Sequence, residues 1–262
     1  MTAVPARVFV VVSARMASSR CPGKALALLA GRPLLEVLLE RMADARGVDG
    51  VVLATSTRAE NDALARGAEQ AGFRVFRGDE DDVLRRHVEC ARAVRADHVV
   101  RVTGDNPLTD LETLERLAAR HVEERADYTY VPGDALLMGI LSEVVSRAAL
   151  ERSWERGEAR HRSELMTLYI KEHPREFRVV AETLAEGLYR PEYRLTVDEA
   201  DDVALMQQIF ARLSVPGRPV TTREAIALLD REPELARINA HLRHKPANLR
   251  SVALDAGIAG KR

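Results

Sequence analysis

The chain has 262 residues, 46% hydrophobic and 30% charged, which supplies both a sizeable core and a charged surface. Its 39 basic and 40 acidic residues nearly cancel, to a formal charge of -1, so it lacks the basic excess that grips a nucleic-acid backbone, although a local basic cluster can hold a small anion. Two cysteines, Cys21 and Cys90, make neither a disulfide framework nor a zinc pair, and no apolar run is long enough to cross a bilayer; the expectation is a cytoplasmic protein that binds neither membrane nor nucleic acid.

Val8 to Val12 is a β-branched run of the kind buried on both faces of a sheet. A polar loop follows from Ser13 to Lys24. Pro33 opens a helix to about Ala45, whose apolar face is Leu34, Leu35, Leu38, Leu39 and Met42. Val51 to Thr55 predicts a strand, Glu60 to Ala71 a helix closed by Gly72, Phe73 to Phe76 a strand and Asp82 to Arg95 a helix. His98 to Thr103 (strand), Asp110 to Glu124 (helix) and Tyr128 to Val131 (strand) complete the alternation. Such alternation favours a parallel sheet with helices on both faces, and ligands in such sheets sit beyond the carboxyl ends of the strands.

The second half is less regular. Ile140 to Ser146, Phe177 to Ala181 and Tyr193 to Val197 read as strands. Arg147 to Glu155, His161 to His173 and Glu199 to Leu213 read as helices, and Thr222 to His244 as two short helices split by Pro233. The organisation expected is one α/β domain over 1–215 with an inserted arm at about 132–170, then a helical tail over 216–262.

Chemistry concentrates in three segments. Ser13 to Lys24 places Arg15, Arg20 and Lys24, with Ser18, Ser19 and Gly23, directly after a buried strand. Close backbone N–H groups plus cations suit a triphosphate, although a solvated loop has the same composition, and GxxxxGK[ST] is absent. In the second segment a strand ends in Gly104-Asp105, and Pro107 then turns the chain. Asp105 is placed either as a hard-oxygen ligand for magnesium or as a turn cap. The third delivers Asp198 at a strand end; Asp201 and Asp202 fall in the following first helical turn, where carboxylates favour the dipole and cap the helix. His87 and His121 sit on apolar helix faces as packing residues, and Trp154 reads as core or interface.

Six segments in order resemble the cytidylyltransferases of the spore coat polysaccharide biosynthesis protein F family, and more distantly the CMP-KDO and CMP-sialate synthetases. They are ARMASSRCPGK (14–24), GRPLLE (31–36), VVLATS (51–56), VFRGDEDDVL (75–84), VRVTGDNPLTD (100–110) and RLTVDEADD (194–202). PELARINAHLRHK (233–245) is similar to an ending found in some members. The resemblance implies a nucleotide-diphosphosugar-transferase-like, Rossmann-like α/β fold with a mixed sheet, and transfer of CMP from CTP to a small acceptor with loss of pyrophosphate. It implies a homodimer built by the arm. It further implies that Arg15 and Lys24 bind phosphates, within a nucleotide site that also draws on Ala14, Ser18, Arg20, Gly23, Thr103 and Gly104. Asp105 and Asp198 would hold Mg2+, Ser56 and Arg77 would touch the nucleotide side, and Arg15, Lys24 and Asp105 would carry the catalysis.

The acceptor side departs from the family pattern. Where the family reads GLDVEVF, this chain reads Gly139 to Val145 as GILSEVV, so Leu141 replaces an aspartate while Glu143 is kept. Where it reads REHVTPYI, this chain reads SELMTLYI (163–170), with His161 and Arg162 nearby as substitutes. Gly139, Glu143, His161 and Arg162 are therefore the acceptor-side candidates, for a sugar acid, sugar phosphate, phosphonate or similar group. Cytosine over uracil is left open, as are a glycosyltransferase of similar fold using a nucleotide-sugar donor and a catalytically silent nucleotide-binding partner.

Overall fold

The β-branched run at the start of the chain becomes the centre of a seven-stranded sheet. The structure, a computed structural model, describes residues 6–18, 20–132 and 137–242. In chain order the strands are β1 (Val8–Ser13), β2 (Leu28–Leu29), β3 (Arg32–Pro33), β4 (Gly50–Ser56), β5 (Arg74–Gly78), β6 (His98–Thr103), β7 (Tyr128–Tyr130), β8 (Glu143–Ser146) and β9 (Val179–Ala181). The helices are α1 (Leu34–Ala43), α2 (Asp62–Gln70), α3 (Val83–Val94), α4 (Leu111–Glu123), α5 (Arg147–Arg156), α6 (Leu168–Glu172), α7 (Ala200–Leu213), α8 (Thr222–Arg231) and α9 (Pro233–Ala236). The sheet order is β5-β4-β1-β6-β8-β7-β9. β5, β4, β1 and β6 pair in parallel, β8 pairs antiparallel with both β6 and β7, and β7 pairs in parallel with β9, which makes the sheet mixed.

Because successive strand residues point to opposite faces, β1 feeds two cores. Val8, Val10 and Val12 pack with Leu35, Leu38 and Met42 of α1 and Leu114 and Leu117 of α4. Phe9 and Val11 pack on the other face with Leu84 and Val88 of α3 and Leu150 of α5. Each fully buried side chain of this size stabilises by roughly 1.5–3 kcal/mol, so a charge at Val10 would break both the strand and its layer. A third core joins Leu29, Leu108 and Leu195 to Leu205 and Ile209 of α7 and Ile226 and Leu229 of α8. Helix starts are set by side-chain caps: Asp82 accepts from the Arg85 N–H at 2.8 Å and Asp110 from the Thr113 N–H at 2.8 Å. Thr221 and Glu224 close a capping box on α8.

Several expected elements change. Tyr193 to Val197 is not a strand: its bonds are a Leu195 N–H to the Met138 carbonyl and a Val197 N–H to the Asp105 carbonyl, both 2.8 Å, so the segment is stitched to two different loops rather than to one neighbour. The helix expected over His161 to His173 splits into a 3-10 turn, Ala159–Arg162, and α6, because Ser163 is extended and the Glu158 carboxyl and His161 ring cap the turn reciprocally. The β2–β3 hairpin was not anticipated; its turn places Ala30 at φ 47° and Gly31 at φ 83°, a left-handed pair suited to a two-residue turn. β8 begins at Glu143 rather than Ile140, and it lies inside the sheet although it belongs to the stretch expected as the arm. Ser19, four arm residues (133–136) and the tail from 243 onward lie outside the described residues.

Candidate active site

The carboxyl ends of β1 and β6 meet. Gly104 donates its N–H to the Ser13 carbonyl at 2.8 Å, and a Cβ on Gly104 would stand 2.6 Å from the Ala14 Cβ and 3.0 Å from the Ser13 carbonyl. Only glycine allows this approach, and it sets Asp105 beside the basic loop. From the other side, Gly139 (φ 95°) lets the segment carrying Asp198 pass: a Cβ there would lie 2.3 Å from the backbone of Leu195 and Thr196. Gly139 thus acts through backbone packing rather than by touching an acceptor.

The Lys24 ammonium is where the three chemical segments join. It donates to Asp105 Oδ2 at 2.8 Å, Asp198 Oδ1 at 3.1 Å and the Val197 carbonyl at 2.7 Å. Burial works against its charge, but Asp105 and Asp198 outweigh that penalty and its pKa is raised. Burial likewise works against the Asp198 carboxylate, and Lys24, Arg20 and Arg194 overcome it, leaving its pKa lowered. Arg20 reaches Asp198 Oδ1 at 2.8 Å and Arg194 reaches Oδ2 at 3.1 Å.

Behind Asp198 lies a supporting pair. Arg194 donates to Asp202 twice, at 2.8 and 3.0 Å, and Asp202 also accepts the N–H groups of Asp198 and Glu199 at 2.9 and 3.0 Å. The helix-capping role expected of Asp202 is therefore what the structure displays, and the cap simultaneously fixes the backbone of Asp198.

These groups open onto a cleft of about 620 Å³. Of the expected residues, Ala14, Arg15, Ser18, Arg20 and Lys24 line it from the loop, Thr103, Gly104 and Asp105 from the end of β6, and Asp198 from the segment before α7. Gly23 does not line it; at φ 72° it turns the chain just before Lys24. Ser56 and Arg77 lie away from the cleft. Ser56 is buried and donates to Glu80, which in turn accepts Arg15 Nη1 at 3.2 Å, so Ser56 stands one step behind a cleft residue. Arg77 is held by Asp62 at 2.7 Å and the Ser56 carbonyl at 3.0 Å.

The acceptor-side candidates separate. Glu143 is enclosed beside the cleft, where burial would raise its carboxyl but Lys171 and Arg101 bring it down to about 2. His161 is buried between the Glu158 N–H at 2.8 Å and Glu172 Oε2 at 2.9 Å. Arg162 lies by the Trp154 ring and 3.9 Å from Asp82, off the cleft lining. His161 is taken up by its own turn and by α6, Arg162 donates to the Trp154 carbonyl of α5 at 3.4 Å, and neither lines the cleft.

Two cleft cations went unnoticed in the sequence. Arg86, 1% exposed, donates to the Asp79 carbonyl at 2.6 Å and to Ser13 Oγ at 3.3 Å. Burial, then the charge of Arg15, lowers its pKa. Arg101 stands on β6 between buried valines and also faces the cleft. Arg101 carried a visible signal, a charge set between buried valines of a strand, whereas Arg86, beside Arg85 and His87, carried none.

Comparison with known proteins follows the same segments. The chain matches the family model described as cytidylyltransferase over residues 9–213. It is 36% identical over 240 residues to the spore coat polysaccharide biosynthesis protein SpsF of Bacillus subtilis, covering 86% of this chain and 95% of that protein. Over 111 residues it is 42% identical to a 3-deoxy-manno-octulosonate cytidylyltransferase of Anaeromyxobacter dehalogenans, 41% of this chain and 44% of that one. The solved structure of a cytidylyltransferase from Leptospira borgpetersenii superposes with a TM-score of 0.83 at 22% identity, over 92% of this chain and all of that one, which shows the fold.

Proposed function

Because this chain belongs to the cytidylyltransferase family, we propose that its cleft moves CMP from CTP onto a small acceptor bearing an anionic or hydroxyl oxygen, with release of pyrophosphate. The observation that carries the reading is the meeting of Lys24, from the basic loop, with Asp105 and Asp198, two carboxylates far apart in sequence.

The triphosphate would lie along the loop, facing Arg15, Arg20 and Lys24, with Arg86 behind them. The acceptor oxygen forms its bond to the α-phosphorus while the bond from that phosphorus to the bridging oxygen breaks, and the electron pair leaves with pyrophosphate. Residues of the cleft contribute position and charge, the main needs of phosphoryl chemistry. Among the described residues no histidine lines the cleft, so an acceptor hydroxyl would pass its proton to water or a nearby carboxylate. An anionic acceptor has no such proton to lose.

A divalent cation, magnesium in this reading, fits the donor set. Asp105 and Asp198 already share one cation, the Lys24 ammonium, and magnesium commonly takes one or two carboxylates plus phosphate oxygens and water. When bound it would supply Lewis-acid stabilisation of the triphosphate charge. The test is a pyrophosphate-release screen of CTP and UTP against sugar acids, sugar phosphates, phosphonates and phosphorylated amino acids. Release with CTP and one acceptor class supports the reading; no release with any pair, together with no CTP binding by calorimetry, removes it.

A further inference from the structure

We propose that Arg101 and Lys171, joined through Glu143, form the subsite for a negatively charged group of the acceptor; this rests on the cytidylyl-transfer reading of the adjoining cleft. A second, smaller cavity of about 70 Å³ is lined by these three residues with Glu164, Thr167 and Leu168. It shares Arg101 and Glu164 with the nucleotide cleft, so the two spaces meet at those side chains.

Inside the cavity the charges do not balance, because the second lining carboxylate, Glu164, is exposed at the rim and leaves Glu143 alone facing both cations. Glu143 accepts from Lys171 Nζ at 2.7 Å, Tyr128 OH at 2.5 Å, Thr167 Oγ1 at 3.2 Å and Arg101 Nη1 at 3.3 Å. Four donors take up the acceptor capacity of one carboxylate, which leaves Glu143 no lone pair for a substrate proton. Its function is to hold two cations in place, and one negative charge cannot neutralise both. Arg101 is also poorly satisfied. Its 3.3 Å contact is long against the roughly 2.7–2.9 Å of a charge-assisted bond, its Nη2 is spent on the Glu164 carbonyl at 3.1 Å, and its buried Nε has no partner. A half-satisfied guanidinium beside a second cation calls for an oxyanion, and a carboxylate, phosphate or phosphonate matches its fork. A neutral hydroxyl would leave the excess charge in place.

Position completes the argument. Arg101 and Thr103 share a face of β6, two residues apart, a rise of roughly 7 Å. An acceptor anchored at Arg101 therefore needs only a few bonds to bring another oxygen to the nucleotide beside Thr103 and Asp105. The substrate class is a compact acceptor with one anchoring anion and one attacking oxygen. Glu164, exposed at the shared rim, is the second lining carboxylate and the one at the entrance from the nucleotide cleft.

The test uses the full chain saturated with CMP, with methylphosphonate as probe and its neutral dimethyl ester as control, followed by phosphorus NMR line broadening. Wild type is expected to bind the anion saturably and not the ester. Lys171→Met, which lines only the second cavity, is expected to weaken the anion roughly ten- to a hundredfold while leaving CMP affinity unchanged, Arg101→Gln to weaken it at least as much, and Glu164→Gln to bind it no more weakly than wild type. Lys171→Met decides the matter if Arg101→Gln does not fold. Absence of anion binding in wild type, binding as tight as wild type's in both cation variants, or a loss at Glu164→Gln as large as theirs overturns the subsite. Failure of wild type to bind CMP overturns instead the cytidylyl-transfer reading, and the two results are read separately.

Discussion

The ammonium of Lys24 lies 2.8 Å from Oδ2 of Asp105, across the gap between the first and fourth strands of the chain's opening α/β alternation. On the proposed reading, the lysine of the free protein occupies the place between two carboxylates where a divalent cation would bind, so the two cations would compete for the same oxygens. A triphosphate would resolve the competition by offering Lys24 other oxygens.

It follows that Lys24→Met should bind Mn2+ without nucleotide at least about tenfold more tightly than wild type, read by electron paramagnetic resonance. Turnover with CTP should fall on the order of 10²–10³-fold, and similarly for Asp105→Asn, with the fold kept. Unchanged nucleotide-free metal affinity would show that Lys24 does not guard the carboxylates.

Asp202 is fully buried, paired with Arg194 and hydrogen-bonded to two backbone N–H groups and to Asn239 Nδ2 at 2.8 Å. Removing Asp202 leaves the buried Arg194 guanidinium with Asp198, at 3.1 Å, as its remaining counter-charge and frees two backbone N–H groups, so Asp202→Ala should cost about 3–5 kcal/mol in urea unfolding. Catalysis should suffer as well, because Asp198 loses its anchor. A loss under about 1 kcal/mol would mean that the pair is not the structural support claimed for it.

Gly139→Ala introduces both a left-handed alanine and a clash with the Leu195–Thr196 backbone. Gly217, at φ 76°, has nothing within 4 Å of its hypothetical Cβ and isolates the strain alone, about 1–2 kcal/mol. Gly139→Ala should therefore lose clearly more stability than Gly217→Ala, and it alone should lower kcat. Equal thermal shifts in the two variants would remove the close-approach argument.

His87 lies fully buried in α3, with Nδ1 2.8 Å from the Val83 carbonyl and Nε2 without a partner. Burial, with smaller contributions from Arg101 and Arg86, lowers its pKa from 6.5 to about 3. Between those values the unfolded chain binds a proton that the folded chain refuses, so stability is lost as pH falls below 6.5. The slope is about 1.4 kcal/mol per pH unit, or about 2 kcal/mol between pH 6.5 and 5. His87→Gln should remove that share of the acid sensitivity; identical unfolding curves across this range for both proteins would refute it.

The β1 run, the apolar stripe of α1 and the helix starts at Asp82 and Asp110 were legible because each is a local pattern with a short-range cause. So were the three chemical segments, two of which stand directly after strands. The helix expected over His161 to His173 failed because an amphipathic count does not register a reciprocal cap closing the turn at its fourth residue. Tyr193 to Val197 failed for a related reason: β-branched composition reports burial, and burial here comes from crossing over Met138 and Asp105 rather than from pairing in a ladder.

Strand–helix alternation, helix caps and the identity of the charged loop are encoded in neighbouring residues, and reading them requires no coordinates. Which charges face one another is a different kind of fact. Ser56 and Arg77 sit on the strands where nucleotide contacts were sought, yet their partners, Glu80 and Asp62, turn them away from the cleft. Arg101 and Lys171, 70 positions apart, share one half-buried glutamate, Glu143. Such pairings depend on long-range packing, in which glycines at 104 and 139 bring separate backbones to within a side chain's reach, and no local pattern in the chain reports that distance.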